Sequence, residues 1–132
     1  SVIGLEKVPI KKVSNYGVIE YKKKNKNFFS VSGVIEKPKK SEAPSNLSIV
    51  GRYILNSKVF QYLKLGKKGF GSEIQLTDSL VSLIDSPGLY AKEFDGKRFD
   101  CGSKLGFIEA NINFGINDKE INKNLRNIIK KL

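Results

Sequence analysis

A chain of 132 residues, 39% of them hydrophobic, is the size of one ordinary domain and holds enough apolar material to bury a core. Its net charge of +11 at pH 7 is nearly all lysine, the arginines being Arg52, Arg98 and Arg126, so it reads as a compositional surface bias accompanying abundant Asn and Ile. A nucleic-acid footprint would lean on the bidentate arginine fork. With no histidine and a single cysteine, Cys101, the chain excludes Ser-His-Asp and Cys-His catalysis, His-bearing zinc sites and an internal disulfide, and it suits a reducing cytoplasm.

No apolar run approaches the ~20 residues that cross a bilayer. Ser1 to Pro9 lacks the basic start and apolar block of a signal peptide. The sequence contains no methionine, which leads us to expect a processed chain or a piece of a longer one.

Ser1 to Val8 alternates loosely and stops at Pro9, as a strand leaving a sheet does. Tyr16 to Tyr21 predicts a second strand, and the block Lys22 to Asn27 a solvated turn. Phe28 to Ile35 predicts a third strand stopped by Pro38, and Lys39 to Ser45 a polar loop containing Pro44. Leu47 to Leu55 is almost continuously apolar, which predicts a central strand buried on both faces.

Helical spacing follows. Val59 and Leu63, with Phe60, predict a short helix capped from Asn56-Ser57, and Gly66 to Gly71 a glycine-bearing loop. Leu76, Leu80, Leu83 and Ile84 fall on one helical face, ended by Asp85-Ser86-Pro87-Gly88. Asp95-Gly96 between Leu89 and Phe99 signals a hairpin. Leu105, Phe107, Ile108, Ala110, Ile112 and Phe114 predict a well-buried helix, and Ile121, Leu125, Ile128, Ile129 and Leu132 a last amphipathic one begun at Asn117 or Asp118. Mixed strands and helices without an internal repeat make an α/β chain, one that lacks the opening strand and glycine-rich turn of phosphate-binding folds.

Several segments in order carry a resemblance: Asn15 to Ile19 (NYGVI), Val34 to Pro38 (VIEKP), Ala43 to Tyr53 (APSNLSIVGRY), Gly71 to Asp78 (GSEIQLTD) and Gly96 to Gly102 (GKRFDCG). Together they resemble the carboxyl-terminal half of the bacterial UTP–glucose-1-phosphate uridylyltransferases, over essentially the whole chain. The resemblance implies part of a GT-A-like (Rossmann-like) sugar nucleotidyltransferase fold, residues 1–132 forming the sugar-phosphate portion without the amino-terminal nucleotide-binding half.

That family joins UTP and glucose 1-phosphate into UDP-glucose, releasing pyrophosphate, so that positioning and charge neutralisation do most of the work. The resemblance implies Mg²⁺ as cofactor, glucose 1-phosphate and UTP or UDP-glucose as ligands, the missing half as partner, a homo-oligomer in the complete enzyme, and no membrane. By resemblance, Glu36 accepts from sugar hydroxyls, Lys37 holds the sugar's phosphate, Gly17 and Val50 contact the sugar through backbone, and Asp100 is a metal ligand. The bland readings are a surface Glu, a solvated Lys, a strand glycine, a core valine and a helix-capping Asp; Glu73 and Asp78 read equally well as helix caps.

Neighbouring strand residues point to opposite faces, so Glu36 and Lys37 can serve one ligand only if the strand ends or bulges there, as Pro38 suggests. Where the family often places an acidic residue after the Asp-Cys-Gly run, this chain has Ser103.

Two other readings stand beside this one. Lysines alternating with Phe28, Phe29, Tyr53, Tyr62 and Phe70 would suit a basic nucleic-acid-binding domain, and the chain could be a non-catalytic remnant. As a half it is expected to expose a sheet edge and apolar surface, and to self-associate or pair with a second chain.

Overall fold

The computed structural model describes residues 1–66 and 72–132. Most of the predicted loop Gly66 to Gly71, the first residue of the Gly71 to Asp78 motif, and Phe70 lie outside the described residues. The chain divides into two compact units, Ser1–Asp95 and Gly96–Leu132.

The first unit holds strands β1 (Val2–Lys7), β2 (Gly17–Asn25), β3 (Phe28–Glu36), β4 (Leu47–Ile54) and β5 (Tyr90–Glu93), with helices α1 (Val59–Lys64) and α2 (Leu76–Val81). The strands close on themselves in the order β1-β4-β2-β3-β5, antiparallel except where β5 runs parallel to β1. Alternation does the sorting: Ile3 and Leu5 on β1, and Phe29 and Val31 on β3, turn into one core with Leu80, Leu83 and Val59 from the helical side. Burying Phe29 alone is worth about 2–3 kcal/mol. A smaller cluster of Val8, Val13 and Val18 sits under the turn that joins β1 to β2.

Closure overturns the expected open sheet edge among these strands. The seam between β2 and β4 is short, however, with Val18 opposite Ser48 as its paired position. Next to it, the Ser45 hydroxyl donates to the Ile19 carbonyl at 2.6 Å and accepts the Leu47 N–H at 3.1 Å, taking over from the backbone ladder. Beyond that point β2 and β4 diverge.

Four sequence expectations are corrected. Lys22 to Asn25 is strand, not turn: Lys23 pairs with Ser30, Lys24 with Phe29 and Asn25 with Phe28. Lys24 lays its ammonium 5.4 Å from the Phe29 ring, so the lysine stems cover apolar surface and the reversal waits for Lys26, whose φ is 54°. The hairpin at Asp95-Gly96 does not form, because both edges of β5 are already taken by β1 and β3. Strand β4 is buried only at Leu47 and Ser48, and its far end is exposed, Ile54 at 78%.

The fourth correction concerns the second unit, formed by α3 (Lys104–Asn117) and α4 (Asn122–Ile129). Helix α3 is not well buried. Leu105 is 76% and Phe114 69% exposed, and within the helix only Ala110 and Gly115 are buried. Its apolar residues occupy more than one face, whereas α4 covers one strip, meeting α3 where Gly115 leaves room for Leu125. Helix α4 also starts later than the expected Asn117 or Asp118: Asn117 ends α3, the Asp118 carboxylate accepts the N–H groups of Glu120 and Ile121 in the intervening turn, and α4 itself begins at Asn122 without a side-chain cap.

Candidate functional site

The end of β3 is where the candidate residues gather. Strand β3 stops at Glu36, and Lys37 adopts φ 46°, a left-handed conformation, while its N–H donates to the Tyr16 carbonyl at 3.0 Å. The strand therefore ends at the pair, as the facing problem required, and buried Pro38 follows. A non-glycine residue held at positive φ costs about 1–2 kcal/mol, a local strain of the kind that accompanies functional positions.

Gly17 opens β2 directly opposite Glu36. A Cβ on Gly17 would lie 2.8 Å from Glu36 Oε2, so the space beside this buried glycine belongs to the carboxylate. On its other side the same oxygen accepts a hydrogen bond from Thr77 Oγ1 at 2.7 Å. Thr77 stands in the first turn of α2, forty-one residues further along the chain.

These residues line a cleft of ≈ 270 Å³. Its walls are Asn15, Tyr16 and Gly17 at the entry to β2, Glu36, Ile49 and Tyr53 from β4, and Gln75, Leu76 and Thr77 at the start of α2. It lies where β2 and β4 part company. A bulge in β4 shapes this wall: Ile3 pairs with Tyr53 and Leu5 with Ile49, which leaves Val50, Gly51 and Arg52 facing Gly4 alone. Gly51 takes φ 73° to make the bulge. The Tyr53 phenol is pushed above its ordinary value of 10.0, first by burial and second by the negative charge of Glu36, so it stays a protonated donor across the neutral range.

Among the residues singled out in the sequence, Gly17 and Glu36 are brought together. Exposed Lys37 leaves from the same strand end but does not line the cleft. Val50 packs its side chain towards Gly4, 3.2 Å from where a Cβ there would stand, and it is Ile49 that borders the cleft.

Asp100 belongs to the second unit. Its Oδ1 accepts the Gly102 N–H at 3.2 Å, and its carbonyl accepts from the Ser103 hydroxyl. Ser103, not Asp100, caps α3, accepting the Gly106 N–H at 3.0 Å. The residue that departs from the family's acidic pattern thus has a structural task. Gly106 is required for this turn, since a Cβ there would collide with the Asp100 carbonyl oxygen.

Among the described residues there is no cluster of three His, Cys, Asp or Glu side chains fit to hold a metal. Asp100, exposed and acceptor-rich, fits as a single carboxylate ligand to a hard divalent ion, whose other ligands would be water and substrate phosphate.

Sequence reasoning missed Thr77 and Tyr53 as cleft residues. Both sit inside motifs that carry the resemblance, and the ordering of those motifs was the available signal. Glu73 and Asp78 do not cap α2 through their side chains; Glu73 accepts from Gln75 Nε2 at 3.3 Å, and Asp78 lies in the first helical turn, where its charge suits the helix dipole.

The aromatic residues interleaved with lysine are largely used in packing. Phe29 is 2% exposed, Tyr62 packs against the core, and Phe28, though half-exposed, lies 5.2 Å from the Lys92 ammonium. No helix among the described residues is long and apolar enough to cross a membrane.

Comparison with known proteins places this geometry. The chain is 42% identical over 132 residues to the UTP–glucose-1-phosphate uridylyltransferase of Staphylococcus epidermidis, matching all of this chain and 46% of that protein. The enzyme of the same name from Staphylococcus haemolyticus matches to the same extent, at 42% identity. A UTP-bound UGPase from Acinetobacter baumannii superposes with a TM-score of 0.87 at 35% identity, over 99% of this chain and 45% of that one. A UDP-glucose pyrophosphorylase complexed with UDP-glucose does so with a TM-score of 0.82 at 38% identity, over 89% and 44%. The chain spans just under half the length of these relatives. The model of the nucleotidyl transferase family matches residues 3–115, and the chain belongs to that family.

Proposed function

We propose that this chain supplies the sugar-phosphate site of a UTP–glucose-1-phosphate uridylyltransferase. The observation that carries the reading is the end of β3, where Glu36 lines a cleft opposite Gly17 and the strand stops at Lys37, itself in a left-handed conformation. A carboxylate accepts and does not donate, so it suits the vicinal hydroxyls of a hexose. An ammonium one residue further on suits the phosphate. Gly17 completes the contact through its backbone, with Ile49 bordering the cleft in place of the expected Val50.

In the reaction, a phosphate oxygen of glucose 1-phosphate attacks the α-phosphorus of UTP, and the bond to the bridging oxygen breaks as pyrophosphate leaves. The part of this chain is to bind and orient. Glu36 fixes the ring, Lys37 offsets the charge of the incoming phosphate, and Tyr53 and Ile49 narrow the cleft. Asp100 would be a ligand of Mg²⁺, which when bound supplies neutralisation of phosphate charge. With UTP recognition assigned to the absent half, we expect no turnover from this chain alone.

Exposed Cys101 fits a cytoplasmic setting, and the exposed apolar residues of α3 fit a chain that is covered by the remainder of a larger, homo-oligomeric enzyme.

The test is calorimetric titration of glucose 1-phosphate, with and without Mg²⁺, into the chain and into a Glu36→Ala, Lys37→Ala double variant. Binding by the parent and loss in the variant is expected. When an amino-terminal half is co-expressed, Mg²⁺-dependent UDP-glucose formation should appear. A verified, folded complex of the two halves that makes none would overturn the reading.

A further inference from the structure

We propose that Thr77 is a positioning residue for sugar recognition, acting by clamping one oxygen of Glu36 so that the other is presented to the ligand. The proposal rests on the reading of Glu36 as the sugar-binding carboxylate and adds the device that aims it.

Glu36 is the last residue of β3, and a glutamate at a strand end has three side-chain torsions to settle. Left alone it would sample many rotamers, and ordering it on binding would weaken affinity. Two contacts remove that freedom. Gly17, directly across the ladder, has no Cβ and so admits the carboxylate against the backbone of β2. Thr77 Oγ1 then donates to Oε2 at 2.7 Å, a short bond to an anionic acceptor.

The source of the donor matters. Thr77 is β-branched and therefore stiff at χ1, and it is carried on α2, whose Leu80 and neighbouring Leu83 are fully buried in the core. Helix α2 has no side-chain cap bond, so the Thr77 hydroxyl is directed to Glu36 and not to its own helix end. Held this way, Oε1 keeps its acceptor sites for hydroxyl donors, and the Thr77 oxygen, having donated its proton, can accept from a ligand hydroxyl. The two acceptors side by side match a pair of neighbouring sugar hydroxyls.

The test uses this chain with glucose 1-phosphate as the probe. The variants are Thr77→Val, which keeps the shape and removes the donor, Thr77→Ser, which restores it, Glu36→Ala, which removes the acceptor, and Glu36→Ala with Thr77→Val. Affinity is read by calorimetry, and the Glu36 side-chain rotamer in the ligand-free state by NMR couplings. We expect Thr77→Val to average the Glu36 rotamers and to weaken binding about tenfold, the scale of one hydrogen bond to a charged group. Thr77→Ser should recover most of that loss, and Thr77→Val should add nothing in the Glu36→Ala background, which has no acceptor left to clamp.

If Glu36 stays ordered in Thr77→Val, or if the loss persists in full in the Glu36→Ala background, Thr77 is merely structural and the proposal fails while Glu36 keeps its role. If the parent binds and Glu36→Ala binds equally well, the sugar-binding reading of Glu36 fails and takes this proposal with it. If even the parent does not bind, the ordering of Glu36 decides the clamp by itself: unchanged rotamers in Thr77→Val overturn it, averaged rotamers uphold it.

Discussion

Gly17 and Glu36 face each other across the first rung of the β2–β3 ladder, and the place where a Gly17 Cβ would stand lies 2.8 Å from Glu36 Oε2. The glycine leaves the carboxylate room to lie flat against β2, within reach of Thr77.

Gly17→Ala tests that relationship. The new methyl meets the far end of a flexible side chain, so the carboxylate can swing aside and the fold should lose less than about 1 kcal/mol. Sugar-phosphate binding should fall much more than stability does. Denaturant unfolding beside calorimetric titration of glucose 1-phosphate separates the two, and unchanged affinity would show that the position of Oε2 does not matter.

Lys37 carries a second, opposite signature. Its φ of 46° suits glycine, so Lys37→Gly should leave stability unchanged or raise it by up to about 1 kcal/mol. The same change should abolish the phosphate contribution to binding. A variant that is more stable and binds less would mark Lys37 as strained for function, whereas lower stability with unaltered binding would point to a structural lysine.

Tyr53 gives a pH dependence. Burial first, and Glu36 second, raise its pKa above 10.0, so the folded state favours the neutral phenol. That contribution to stability is complete below pH 10 and is lost as pH rises through the folded-state value. Unfolded in urea at a series of pH values, the parent should therefore lose stability relative to Tyr53→Phe as pH rises above 10, whereas the difference between them should stay constant below it. Glu36→Gln should lower the phenol's titration, followed by phenolate absorbance, without returning it to the ordinary value, because burial remains.

The Asp100 turn depends on Gly106. A Cβ at Gly106 meets backbone, the Asp100 carbonyl, which cannot rotate away as a side chain can. Gly106→Ala should therefore destabilise by about 1–3 kcal/mol despite the better helix propensity of alanine. Ser103→Ala should cost about 1 kcal/mol through the lost cap, and Ser103→Asp should retain most of it, since aspartate caps equally well. Amide shifts of Asp100 to Ser103 would report whether the turn has moved in each variant.

Local composition was enough for the strand positions of Val2 to Lys7, Phe28 to Glu36 and Leu47 to Ile54, because alternation and flanking prolines act within a few residues. The same local signals misplaced Lys22 to Asn25, where a charged run reads as a turn until Ser30, Phe29 and Phe28 are known to pair with it. Asp95-Gly96 is a sound hairpin signal locally, and it failed because β1 and β3 occupy both edges of β5. The apolar run of α3 was read as burial, yet hydrophobicity states only that a face needs cover, and α4 covers one strip.

The sequence by itself determined the family, through the order of its motifs, and the chemical types available: carboxylates, lysines and backbone groups, with no histidine. Alternation also meant that Glu36 and Lys37 could serve one ligand only if the strand ended or bulged there. Only the tertiary structure decided that Thr77, forty-one residues away, would hold the Glu36 carboxylate, that Ile49 and Tyr53 would border the cleft in place of Val50, and that Ser103 would cap α3 beside Asp100. The reason is physical: periodicity and capping act within a turn or a strand, while hydrogen bonds between elements depend on sheet register and helix docking, which no local pattern encodes.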